Sequence, residues 1–298
     1  MDNRVIAVDI GGTGSTVAVI DDGFNIIDKI KFDTSRNYNE VLENIENAVN
    51  KFDPEKKLKI GIAICGLLSH DGETLLVAPN LGWKRINMRE SFGRLARKFI
   101  VVNDGTAAGW VSYLTETPEN INRVLSVTLG TGVGGGIVVN GELLIGAGEL
   151  GHLKIDPDGP VCGCGRKGCI EAFVGGRNIP KNVKEWFGLE VDSPKALFLL
   201  AEKGDKKAIE CWNKIGYLLG YALSGVVNLN GIEVITIGGK ISRASKYYMK
   251  EVEKTLKENL VIPEFQKCDI VISKWENNVS LMGAAAVVIK PPKNLLSR

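Results

Sequence analysis

Four residues with nitrogen or sulfur donor atoms fall close together in the middle of the chain: His152, Cys162, Cys164 and Cys169, with nine, one and four residues between successive members. One imidazole and three thiolates can close a tetrahedral zinc site, and four protein ligands leave no open position for a water nucleophile, so such an ion would be structural. Buried free thiols beside a surface histidine would be the plainer reading, but so tight a grouping of donors among glycines argues for the metal. Glu149 stands three residues before His152 and Glu171 two after Cys169, so carboxylates alternate with the metal-type ligands. His70, by contrast, reads as a solvated turn residue, and Cys65, Cys211 and Cys268 read as packing.

A second chemistry is written in glycine turns. Asp9-Ile10-Gly11-Gly12-Thr13-Gly14 places a carboxylate at a strand end, then glycines whose backbone can approach an anion, then a hydroxyl. Such a turn can cradle phosphate while Asp9 holds Mg²⁺ through water, although a single glycine turn between strands is commonly just a hairpin. A second turn, Leu129-Gly130-Thr131-Gly132 with the glycines that follow, repeats the device, as a nucleoside triphosphate held from two sides would require. Gly238-Gly239 forms a third candidate before a helix expected to open at Ser242, where the helix N-terminus can face the nucleotide or the pair can be a βα turn alone. Asn103-Asp104 follows an apolar run and precedes a helical stretch; Asp104 can cap that helix or serve as the base that takes a hydroxyl proton during phosphoryl transfer.

The elements that must position these residues repeat. Arg123–Ile145 aligns without a gap on Arg4–Ile26 at an offset of 119, each copy a strand, a glycine turn and a strand. An internal duplication of this size predicts two similar α/β domains facing each other. Apolar residues at 41, 42, 45 and 49 have helical spacing, while Lys59–Ile64 and Phe99–Val102 read as buried strands, and strands alternating with helices imply a largely parallel sheet. Helical segments are expected around 195–225 and from about Ser242 to Leu260, with a strand at Glu233–Ile237. An apolar helix over Ser280–Ile289 is expected to return to the first domain. The predicted division is 1–113 with 284–298 as the smaller domain, carrying the first turn and Asp104, and 114–283 as the larger, carrying the second turn and the cysteine loop.

With 298 residues the chain is long enough for about two domains, and 44% hydrophobic with 24% charged residues excludes disordered and fibrous classes. A net charge of +2 lacks the basic field of a nucleic-acid binder. No apolar run reaches the 18 or more residues of a membrane span and no secretory leader precedes the first strand, so a cytoplasmic location without membrane or nucleic-acid partners is expected.

Taken together, the Asp9–Thr13 turn, Asn103-Asp104, the Thr131-Gly132 turn, Glu149-Leu150-Gly151-His152, the cysteine run and Glu171 make the sequence resemble the repressor, open reading frame and kinase (ROK) family of sugar kinases over almost its whole length. The resemblance implies an actin-like, ribonuclease H-like two-domain α/β fold with the active-site cleft between domains, ATP with Mg²⁺, and phosphorylation of a hexose hydroxyl. It implies Asp104 as general base, and Asn80, Asn103, Asp104 itself, Glu149, His152 and Glu171 as sugar contacts. Asp9, Gly11, Gly12, Thr13, Thr131, Gly132, Gly238 and Gly239 would serve the nucleotide. His152 would also ligate zinc, so metal loss is expected to loosen 149–171 and weaken sugar binding while changing the glycine turns much less. A homodimer or homotetramer is implied too.

This chain departs from the family pattern in two places. Gly14 stands where many members have a lysine, and Cys65-Gly66-Leu67-Leu68 stands where a Pro-Gly loop is common. The Ala78-Pro79-Asn80-Leu81-Gly82-Trp83 segment resembles glucokinases, which makes glucose the first choice, with glucose 6-phosphate as product. Mannose, fructose and an N-acetylhexosamine are the alternatives, and polyphosphate is an alternative donor. A sugar-responsive repressor of the same family would need a helix-turn-helix ahead of a first strand that here begins near residue 4. A conformational ATPase of the wider actin-like group would have no use for the Glu149–Glu171 constellation.

Overall fold

The computed structural model describes residues 3–96, 98–146 and 148–295. Residues 296–298, the end of the segment expected to return to the first domain, lie outside them. Along the chain the first strands are β1 (Val5–Ile10), β2 (Gly14–Ile20) and β3 (Ile26–Asp33), followed by α1 (Tyr38–Phe52) and β4 (Lys59–Ile64). A small group comes next: β5 (Leu67–Leu68), β6 (Thr74–Ala78), β7 (Trp83–Asn87) and the short α2 (Met88–Phe92). Then follow β8 (Phe99–Asn103), α3 (Asp104–Glu116), β9 (Arg123–Leu129), β10 (Val133–Val139) and β11 (Glu142–Leu143). After the cysteine loop lie α4 (Ile170–Val174), α5 (Ile179–Phe187), α6 (Pro194–Glu202) and α7 (Lys206–Asn230). The chain closes with β12 (Val234–Gly238), α8 (Ser245–Glu258), β13 (Asp269–Ile272) and α9 (Val279–Ile289).

The duplication is visible in the strand ends. Gly14–Ile20 shifted by 119 becomes Val133–Val139, which are the bounds of β2 and β10, and β1 and β9 end at equivalent residues. The two five-stranded sheets share one topology: β3-β2-β1-β4-β8 and β11-β10-β9-β12-β13. In each, the first strand of the repeat lies at the centre, parallel to the strand that follows it in the order. A third sheet has the order β5-β6-β7. Two compact units result: residues 1–115 with 136–148 and 278–298, and residues 116–135 with 149–277.

In the first unit β1 pairs antiparallel with β2 and parallel with β4, so the sheet is mixed where a largely parallel one was expected. At its middle, β1 and β4 are almost entirely buried. The spacing expected of α1 is observed: Val41, Leu42, Ile45, Ala48 and Val49 form its buried face, and the Asn37 side chain caps its start by accepting the Asn39 N–H. The apolar C-terminal helix, α9, packs on β1 and β4 and so does return to this unit. Its approach depends on missing side chains: a Cβ at Gly61 would stand 1.7 Å from the Ala284 carbonyl oxygen, and one at Gly283 would stand 2.2 Å from the Ala107 backbone.

In the second unit, α7 starts at an Asp205 cap and ends at Gly231 in the left-handed conformation, its N–H bonded to the Val227 carbonyl. It packs against α8 through Gly216 and Gly220, where a Cβ would meet the Tyr248 and Val252 carbonyls at 2.4 and 2.6 Å. The helix expected to open at Ser242 begins later. Residues 240–244 form a 3₁₀ turn in which Ser242 Oγ donates to the Gly239 carbonyl, and α8 proper starts at Ser245. A hydroxyl that bonds three residues back closes a tight turn of its own and delays the α-helix.

Candidate functional site

In the first unit the turn after β1 is closed by the Gly11 N–H, which donates to the Gly14 carbonyl at 3.2 Å. Among the described residues no partner takes the N–H of Gly12 or Thr13, so the turn presents two adjacent donors. Asn80, in the turn between β6 and β7, lies beside it: a Cβ at Gly12 would stand 3.4 Å from Asn80 Cβ. Asp9 sits at the end of β1, and burial, reinforced by the charge of Asp104 and opposed by Lys31, lifts its carboxyl to about 7. A half-buried carboxylate next to a second carboxylate is short of positive charge, which suits a divalent cation.

Asn103 and Asp104 divide the work at the head of α3. Either residue type can cap a helix, and here Asn103 does: its Oδ1 accepts the N–H groups of Gly105 and Thr106 at 2.9 and 3.1 Å. Its Nδ2 donates to the Gly66 carbonyl at 3.0 Å, which leaves one amide hydrogen of this side chain for another acceptor. Asp104 is therefore the first helical residue, half-buried, with Oδ1 accepting the Gly105 N–H. Cys65 belongs to the same neighbourhood. Its backbone N–H donates to the Ile10 carbonyl, and burial together with Asp104 and Asp9 pushes its thiol well above the ordinary range. Sequence reading assigned Cys65 to packing; only the pairing of β4 beside β1 brings it to the carboxylates.

In the second unit the equivalent turn is closed by the equivalent residue: the Gly130 N–H donates to the Gly132 carbonyl at 3.0 Å. Among the described residues the N–H groups of Thr131 and Gly132 have no partner. The reason for glycine differs along the turn. A Cβ at Gly130 would meet nothing within 4 Å, whereas one at Gly132 would stand 2.2 Å from Glu171 Oε2. Gly132 thus makes room for a carboxylate of its own chain, where the sequence suggested room for an anion. Gly239, at φ +89° after β12, lets the backbone pass the end of β9; a Cβ there would lie 2.4 Å from the Leu129 carbonyl oxygen.

The cysteine loop gathers all four expected ligands. Their donor atoms lie within 4.8 Å of one another, with Cys162 and Cys169 buried and His152 and Cys164 half-buried. Cys164 Sγ and Cys169 Sγ are 3.7 Å apart, and Cys162 Sγ is 3.8 Å from His152 Nδ1. A tetrahedron of sulfurs about 2.3 Å from zinc has edges of about 3.8 Å, so donor chemistry and spacing both fit that ion. Short backbone ladders hold the loop: Cys162 N–H to the Arg166 carbonyl, Gly165 N–H to the Cys162 carbonyl, and bridges pairing Lys154 with Cys169 and Val161 with Lys167. Lys154 Nζ also donates to Cys169 Sγ at 3.0 Å, a contact the sequence did not suggest. His152 turns Nδ1 toward the thiols and Nε2 toward Glu149, whose Oε2 is 3.9 Å away. Glu171, two residues beyond Cys169, accepts the Val133 N–H at 3.0 Å, so the cysteine loop and the turn are directly joined.

Residues 5–291 match the ROK family, and the chain belongs to it. A glucokinase of Streptomyces coelicolor is 27% identical over 309 residues, covering 96% of this chain and 98% of that protein. An N-acetylmannosamine kinase of Haemophilus influenzae is 32% identical over 291 residues, covering 95% and 94%. The crystal structure of a ROK family glucokinase from Streptomyces griseus in complex with glucose and AMPPNP superposes with a TM-score of 0.83 at 26% identity, covering 95% of this chain and 98% of that one. The fold is accordingly the actin-like α/β fold of ROK sugar kinases. Among the described residues no helix is long and apolar enough to cross a membrane.

Proposed function

We propose that this ATP-dependent sugar kinase transfers the γ-phosphoryl group of ATP to a hexose hydroxyl, with glucose as the substrate and glucose 6-phosphate as the product. The observation that carries the reading is the likeness, over nearly the full length of both chains, to a glucokinase solved with glucose and AMPPNP. In this reading Asp104 is the base. It takes the hydroxyl proton as the sugar oxygen bonds to phosphorus, while the bond from phosphorus to the β,γ-bridging oxygen breaks and ADP leaves. Asn80, Asn103, Glu149, His152 and Glu171 hold the sugar. The donors of Gly12 and Thr13, and of Thr131 and Gly132, receive phosphate oxygens, with Gly238 and Gly239 lining the nucleotide.

Asp9 would hold Mg²⁺, which supplies charge neutralisation on the phosphates when bound. The four-ligand cluster would hold zinc in a structural role, fixing His152 and the segment up to Glu171. A coupled assay of ADP release, run without sugar and with glucose, mannose, fructose, N-acetylglucosamine and N-acetylmannosamine, tests the proposal. The expected result is strong release with glucose. Release independent of sugar would replace it with an ATPase.

A second reading, a kinase for N-acetylmannosamine, is favoured by one observation: the Haemophilus relative with that name shares 32% of residues against 27% for the Streptomyces glucokinase. Preference for N-acetylmannosamine in the same panel would establish it.

A further inference from the structure

Glu171 does more than stand near the cysteine loop. Its Oε2 accepts the N–H of Val133, the first residue of β10 and the one directly after the Gly130–Gly132 turn. The space for this oxygen exists because Gly132 has no side chain. Two further bonds run the same way: Gly176 N–H to the Gly130 carbonyl at 2.9 Å, and Arg177 N–H to the Thr131 carbonyl at 3.0 Å. The stretch from Glu171 to Arg177 therefore grips the turn at three places, Gly130, Thr131 and Val133, without using the Thr131 and Gly132 N–H groups. Of the three grips only the Glu171 bond is made by a side chain, which makes it the one a ligand can influence.

We infer that Glu171 is a positioning residue for the nucleotide turn, and that sugar and nucleotide bind synergistically because both draw on this one carboxylate. The inference rests on the proposed kinase reading, in which Glu171 contacts sugar and the turn contacts phosphate. A sugar hydroxyl donating to Glu171 restricts the carboxylate, the restricted carboxylate fixes the Val133 N–H, and the turn is then set for phosphate before the nucleotide arrives. The entropy of ordering that turn is lost once for two ligands, which is positive coupling between them.

The test is calorimetric titration of the zinc-loaded, full-length protein with Mg·AMPPNP, without sugar and then with saturating glucose. Three variants separate reach from charge. Glu171→Gln keeps an oxygen at the right distance to accept the Val133 N–H. Glu171→Asp keeps the charge but is one methylene short, and Glu171→Ala has neither. Without sugar, Glu171→Ala and Glu171→Asp should weaken AMPPNP about five- to tenfold, and Glu171→Gln should stay within about twofold of wild type. Glucose should tighten AMPPNP in wild type and not in Glu171→Ala. Unchanged AMPPNP affinity in both Glu171→Ala and Glu171→Asp would overturn the inference, as would an equal loss in all three variants. A wild-type protein that binds AMPPNP but no hexose would instead overturn the sugar reading. If Glu171→Ala fails to fold, the comparison of Asp with Gln still decides the question.

Discussion

Asp104 and Asp9 are carboxylates of one neighbourhood for which different duties are proposed. Asp104 heads α3 beside Asn103, and because Asn103 already caps the helix, replacing Asp104 need not unravel it. Asp104→Asn is expected to lower kcat by about 10² or more while changing glucose affinity little. Single-turnover kinetics with a parallel glucose titration checks this, and turnover within threefold of wild type would remove Asp104 from the mechanism. Asp9 makes a pH prediction. With the folded carboxyl near 7 and the unfolded one at 3.8, the native state holds a proton that the unfolded chain has released between those values. Stability therefore falls as pH rises from about 4 to about 7 and levels off above, by an amount on the order of a few kcal/mol. In EDTA-treated protein, Asp9→Asn should remove that dependence, so the difference in melting temperature between wild type and variant should move in the variant's favour from pH 5 to pH 7.5. A constant difference would mean that Asp9 titrates normally.

At the scale of elements, hydrogen bonds join Glu171 of α4, two residues beyond the last cysteine, and the residues after α4 to the second glycine turn. Chelation or Cys164→Ser should strip the metal, raise the sugar KM and speed hydrogen exchange across 149–171. Through the Val133 bond it should also loosen 130–133. Metal content per chain measured beside exchange rates checks this; normal sugar affinity in protein without zinc would remove the ion from the argument. The two glycines of the turn separate nucleotide from carboxylate. Gly130→Ala adds a methyl group to open space and should fold normally, so any loss of AMPPNP affinity would report close approach of an anion. Gly132→Ala pushes on Glu171 Oε2 and should weaken sugar and nucleotide together. Equal and negligible effects on AMPPNP from both would argue that phosphate does not visit this turn.

For the molecule as a whole, the duplicated sheets provide the frame and α9 completes the first unit. Its packing tolerates no added atoms at Gly61, where a Cβ would stand 1.7 Å from a carbonyl oxygen of α9, a rigid backbone contact rather than a movable side chain. Gly61→Ala should destabilise by about 3 kcal/mol or more, the upper range for overpacking, and lower the melting temperature by about 6 °C or more. A loss below 1 kcal/mol in denaturant unfolding would show that α9 shifts freely on the sheet.

Periodicity and repetition were legible without coordinates because they are local properties. The alternation of apolar strands, the buried face of α1 and the offset of 119 all follow from spacing along the chain, and the strand ends obey them. The zinc-type loop was legible for a related reason: its four donors lie within 18 residues, so few chain conformations need to be considered to bring them together. Contacts between residues distant in sequence were not legible. Asn103 rather than Asp104 as the cap depends on a choice between two adjacent residues of equal aptitude, decided by how β8 delivers the chain into α3. Cys65 beside Asp9, and Glu171 against Gly132 and Val133, required the parallel pairing of β1 with β4 and the docking of α4 on the turn. The sequence by itself determined which residues could hold metal and phosphate. Only the tertiary structure decided that a glycine of the phosphate-type turn is kept small by a carboxylate 39 residues away. The physical reason is that absence of a side chain shows in sequence only as permission, and what uses the space depends on which backbone packs there.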